Sequence, residues 1–125
     1  MAYVLIIEDD VTVRSLVRRM LSFGGHEVVE AEDGREALRS AQARPPDLVI
    51  TDLMMPDMDG IEVITEFRRL GVDVPVIAIS GGGLMPKELL LSNAAALGAV
   101  EVLPKPFEMH QILDAVERVL GVLHG

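Results

Sequence analysis

The run Asp47-Leu48-Val49-Ile50-Thr51-Asp52-Leu53-Met54-Met55-Pro56-Asp57-Met58-Asp59-Gly60 decides how the rest of the chain is read. Residues 48–51 are apolar and rich in β-branched side chains. The run stops at a carboxylate, and Pro56 and Gly60 mark a turn before a new periodic segment begins. This is the pattern of a buried strand that carries Asp52 to its C-terminal tip. Open parallel α/β sheets hold ligands beyond the carboxyl ends of their strands, so an acid placed there has a motive beyond solubility. Asp is also a favoured turn residue, and the stretch alone does not choose between the two readings.

The other apolar runs end in the same manner. Tyr3-Val4-Leu5-Ile6-Ile7 leads into Glu8-Asp9-Asp10, and Val74-Pro75-Val76-Ile77-Ala78-Ile79 leads into Ser80-Gly81-Gly82-Gly83. Val100-Glu101-Val102-Leu103 leads into Pro104-Lys105-Pro106-Phe107. Four strand tips thus offer acids, an acid, a hydroxyl and a lysine, all on one rim.

Helical patterns fill the intervals. Asp10 is a plausible N-cap for a stripe of Val13, Leu16, Val17, Met20 and Leu21 that stops at Gly24-Gly25. A short strand over 26–31 follows. Asp33 and Glu36 make a capping-box-like start for a helix that buries Ala37, Leu38 and Ala41 and ends at Pro45-Pro46. Asp59 and Glu62 repeat that start ahead of Val63, Ile64, Phe67 and Leu70. A glycine-rich connection precedes a helix over 86–97 closed by Gly98, and the last helix, over 108–120, offers Ile112, Leu113, Val116, Val119 and Leu120 for burial. Strict β-α alternation, five times over, predicts a (βα)5 α/β fold: a parallel five-stranded sheet, helices on both faces and right-handed crossovers.

Composition narrows the class. The 125 residues suit one domain over 1–125, half apolar and a quarter charged. Eleven basic residues against twenty acidic give a formal charge of −9, which disfavours direct nucleic-acid binding. Cysteine is absent, so there is no disulfide framework or thiolate metal site. The apolar runs are far shorter than the roughly 20 residues that span a bilayer, and the chain enters its first strand without a basic leader, so no membrane insertion and a cytoplasmic location are expected.

The ordered set Glu8-Asp9, Asp52, Ser80 and Lys105-Pro106-Phe107 resembles the receiver domain of two-component response regulators, in the single-domain, chemotaxis-regulator-like form, over nearly the whole chain. The resemblance implies the flavodoxin-like doubly wound three-layer sandwich with strand order 2-1-3-4-5, whose switch point between the first and third strands would bring Asp9 and Asp52 together. It implies a cis peptide between Lys105 and Pro106, and a phosphoacceptor switch that takes a phosphoryl group from a sensor histidine kinase or a histidine phosphotransfer protein. No effector domain is expected after Gly125, so output would go through a protein surface to an unknown downstream protein. The expected face comprises the helix over 86–97, the strand over 100–103 and the last helix, in a monomer or weak homodimer.

The chemistry is also readable from the residues. Phosphoryl transfer to a carboxylate needs a nucleophile, neutralisation of the phosphate charge and donors for its oxygens. Asp52 is the candidate nucleophile. Asp9 and Asp52, with Glu8 as a direct or water-mediated ligand, would hold Mg2+, with Mn2+ possible, since magnesium takes a few carboxylates and keeps waters. By resemblance, the backbone carbonyl of Met54 completes the metal shell. Ser80 and Lys105 would donate to phosphoryl oxygens, and Gly81 leaves room for the donor. Taken singly, Asp9 and Asp10 read equally well as helix caps, Lys105 as a solvated lysine and Ser80 as a turn residue. Met54, Met55, Met58 and Met85 are expected to fill packing gaps, and His26, His110 and His124 to lie on the surface without a paired acid.

Two features depart from the family pattern. Val102 stands where an aromatic switch residue is usual, and a β-branched side chain cannot swing a ring. The interval from Ser80 to Lys105 is also long, with the extra length at Gly81-Gly82-Gly83, so that loop is the expected moving part, ordering when Ser80 and the Gly81 N–H engage phosphate. The alternatives are a phosphorylation-independent interaction module, or an aspartate-nucleophile phosphohydrolase. The latter would need a general acid where Met54 stands. The chain is accordingly expected to catalyse only its own modification and its reversal.

Overall fold

A computed structural model describes residues 2–52, 60–71, 73–80 and 99–124. The chain alternates β1 (Tyr3–Ile7), α1 (Val11–Phe23), β2 (Glu27–Ala31), α2 (Gly34–Ala43), β3 (Leu48–Asp52), α3 (Gly60–Arg69), β4 (Val76–Ser80), β5 (Ala99–Pro104) and α4 (Met109–His124). The helix expected over 86–97 and the Gly81-Gly82-Gly83 loop lie outside the described residues. All five strands are parallel and ordered β2-β1-β3-β4-β5. This is the flavodoxin-like arrangement expected from the sequence, with four helices among the described residues.

The central strands β1, β3 and β4 read as nearly continuous apolar runs because both sheet faces are covered there. Leu5, Ile7, Val49, Val76 and Ala78 face Ala37, Ala41, Val63, Ile64 and Phe67 of α2 and α3. Their neighbours Val4, Ile6, Leu48, Ile50, Ile77 and Ile79 face Val17 and Leu21 of α1 and Ile112, Ala115, Val116 and Val119 of α4. Successive strand side chains point to opposite faces, so a single run of sequence feeds both cores.

Two stripe residues are exposed. Leu16 is 49% exposed and Leu70 40%. Val17 and Leu21 hold the buried side of α1, which leaves Leu16 off its edge, and Leu70 falls past the end of α3 at Arg69. The α1 stop works as expected. Gly25 takes φ +87, which favours glycine, and a Cβ on Gly24 would come within 2.6 Å of Leu113 Cδ2 on α4.

The caps settle the local roles of two aspartates. Asp10 Oδ1 accepts from the backbone N–H groups of Thr12 at 2.8 Å and Val13 at 3.3 Å. Asp33 Oδ1 accepts from the N–H of Glu36 at 2.8 Å. Asp59, the expected start of α3, lies outside the described residues.

Two histidines depart from expectation. His26 is partly buried and its Nδ1 accepts from the Ala2 N–H at 3.2 Å. Burial holds its pKa below the usual histidine value. His110 has a paired acid, Glu108, at 3.2 Å.

Candidate functional site

The topology brings β1 and β3 side by side although β2 intervenes in sequence. Ile7 pairs with Thr51, so Glu8, just past β1, and Asp52, the last residue of β3, come side by side at the C-terminal rim of the sheet. Asp52 closes β3 at 5% exposure and Glu8 is 2% exposed, whereas Asp9 is exposed. Carboxylate oxygens of Glu8, Asp9 and Asp52 lie within 4.8 Å of one another. Of the two adjacent aspartates, Asp10 turns to α1 as its cap, and Asp9 turns to the acid cluster.

Lys105 arrives from β5, which pairs with β4 rather than β3. Two strand spacings, about 9.6 Å, separate its strand from that of Asp52, a gap suited to a long flexible stem. Its Nζ donates to Asp52 Oδ2 at 2.8 Å and to Glu8 Oε1 at 3.0 Å. The Lys105-Pro106 peptide is cis, as the resemblance implied. The β3 tip is held in turn by the Thr51 hydroxyl, which donates to the Asp52 carbonyl at 3.1 Å.

The electrostatics follow from burying like charges together. Burial pushes the Glu8 carboxyl up to about 7; the Lys105 ammonium opposes this, and the Asp52 charge and the Asp9 carboxyl reinforce it. For Lys105 burial disfavours the charge, but hydrogen bonds and attraction from Asp52 and Glu8 outweigh it and raise its pKa. Three acids against one ammonium form a hard oxygen donor set with charge left to neutralise, which fits a divalent cation such as Mg2+.

Ser80 ends β4, its backbone opposite Pro104; the direction of its hydroxyl, like Met54 and Gly81, falls outside what the structure describes. Val102 is half-buried against the α2/α3 side of the core. A second trio of close carboxylates, Glu32, Asp33 and Glu36, surrounds the start of α2, where Asp33 already serves as its cap. Sequence reasoning missed Arg14, whose guanidinium reaches the Glu8 carbonyl at 2.8 Å. The available signal was Glu30, an acid near the C-terminal end of β2 beside Val28 and Val29.

Residues 4–117 match the family of the response regulator receiver domain. The chain belongs to that family. Receiver domains of two-component response regulators are signalling switches, and the relatives agree. Response regulator MprA of Mycolicibacterium vanbaalenii is 38% identical over 117 residues, covering 94% of this chain and 49% of that protein. The receiver therefore spans about half the length of the curated relatives it matches. Among solved structures, chemotaxis protein CheY4 of Vibrio cholerae is 34% identical with a TM-score of 0.85, covering 95% of this chain and 98% of that one. NtrX of Brucella abortus, solved in complex with ATP, is 32% identical with a TM-score of 0.87, covering 97% of this receiver and 27% of that chain. No helix among the receiver's described residues is long and apolar enough to cross a membrane.

Proposed function

We propose that this receiver is a phosphoacceptor switch of a His-Asp phosphorelay, with Asp52 as the residue modified. The observation that carries the reading is the Asp52 carboxylate itself: at the tip of β3, 2.8 Å from Lys105 Nζ and within 4.8 Å of the Glu8 and Asp9 oxygens. Glu8, Asp9 and Asp52, with the Met54 carbonyl, would hold Mg2+. When bound, the ion would offset the charge on the phosphoryl oxygens. The donor is a phosphohistidine on a sensor kinase or phosphotransfer protein, and the setting is cytoplasmic.

In the transfer, a bond forms between an Asp52 oxygen and phosphorus while the P–N bond of the phosphohistidine breaks. The imidazole keeps the electron pair and takes up a proton. Lys105 gives up Asp52 Oδ2 for a phosphoryl oxygen, and Ser80 donates to another. Hydrolysis reverses the state when water attacks phosphorus and the Asp52 carboxylate leaves. The chain thus acts on itself, without turnover of a separate small substrate. Residues 1–125 are read as a single domain, and the added charge of about −1.5 to −2 shifts it between two conformations that present different protein-binding surfaces.

Intact mass after incubation with Mg2+ and a small acyl-phosphate donor tests the reading. A phosphoryl adduct is expected on the native protein and not on Asp52→Asn. No adduct on the native protein, or equal labelling of both, overturns it.

A further inference from the structure

We propose that Arg14 is a positioning residue for the cation site, fixing the Glu8 carbonyl and thereby the direction in which Asp9 leaves β1, with Glu30 holding the guanidinium in place. The role rests on the Mg2+ reading above. Arg14 lies one turn into α1, and its backbone N–H donates to the Asp10 carbonyl at 2.9 Å. Its side chain is 14% exposed. Nη1 donates to the Glu8 carbonyl at 2.8 Å and Nε to Glu30 Oε1 at 3.2 Å. The other Glu30 oxygen lies 3.4 Å from Arg18 Nη1, so two arginines of α1 anchor on one acid of β2.

The Glu8 backbone is therefore engaged at both ends. Its N–H donates to the Ala31 carbonyl at 3.1 Å, and its carbonyl accepts from Arg14. That carbonyl shares a rigid plane with the Asp9 nitrogen, so clamping the oxygen sets where the Asp9 Cα goes. Glu8 has a second anchor, through its side chain to Lys105. Asp9 is exposed, and its carboxyl meets Glu8 within the acid cluster, so its placement depends on the backbone that Arg14 holds. A planar guanidinium can serve two acceptors in fixed directions at once, which a single ammonium does less well.

Charge and position predict opposite signs. Removing a cation near an acidic site should tighten Mg2+ binding by simple Coulomb attraction. Loss of positioning should weaken it, by between about 10- and 100-fold, the range for outer partners of metal ligands. Calorimetric Mg2+ titration of the full chain separates them. Arg14→Gln is expected to bind Mg2+ at least about 10-fold more weakly. The charge-balanced pair Arg14→Gln with Glu30→Gln should stay weak, and Gly25→Ala, which perturbs the end of α1 far from Glu8, should bind as the native protein does. If Arg14→Gln does not fold, Arg14→Lys takes its place and is also expected to weaken binding. Binding that is unchanged or tighter in the folded Arg14 variant overturns the role, as does equal weakening in Gly25→Ala. A native protein that takes up no Mg2+ overturns the cation site, and the positioning role falls with it.

Discussion

Lys105 is the residue on which the acid cluster balances. It spans two buried carboxylates, and its ammonium is the influence that keeps Glu8 from rising further. An acid raised from its ordinary 4.5 to about 7 binds its proton more tightly folded than unfolded. Glu8 therefore contributes stability below its ordinary value that is lost as pH climbs toward about 7. Lys105→Met removes the opposing cation. Carboxyl NMR of that variant without metal should show Glu8 titrating above about 7, and a midpoint moved down would contradict this placement of the charges. Side-chain pairing of this kind was not legible in the sequence. Lys105 is 53 residues from Asp52 and 97 from Glu8, and only the sheet order places them together.

At the scale of elements, four of the strands carry the candidate site residues at their tips, and the starts of α1 and α2 each claim an aspartate of their own. Asp10→Ala should cost about 1 kcal/mol of unfolding free energy in urea, the usual loss for an N-cap, because two N–H groups of α1 lose their acceptor. A variant as stable as the native protein would deny the cap. The strands were legible because apolar residues occupy both faces, and their ends fell close to expectation. The buried width of a helix was not: periodicity marked Leu16 and Leu70 as stripe residues, but the neighbours that decide burial belong to other elements. The register shift between β4 and β5 was equally hidden. Val76 pairs with Ala99 and Ile77 with Glu101, so Val100 is passed over and left 58% exposed.

For the whole molecule, a cation held by the acid cluster would couple binding to folding. A cation bound by the folded chain alone at about 100 times its Kd adds about 2.7 kcal/mol to stability. Thermal unfolding should therefore move upward with Mg2+ and return with a chelator, while Asp52→Asn shows a much smaller gain. Equal gains in both would place the ion elsewhere. The family and the fold could be read from the ordered tips, since the resemblance lay in Glu8-Asp9, Asp52, Ser80 and Lys105 taken jointly.

The hydrogen bond from Lys105 to Glu8 closes a contour of 97 residues. During synthesis the acids emerge from the ribosome long before the lysine does, and β5 must add to the sheet before the pair can meet. A half-made copy thus carries Asp52 and Glu8 without the ammonium that pairs with them, and the cluster can close only once residue 105 has been translated.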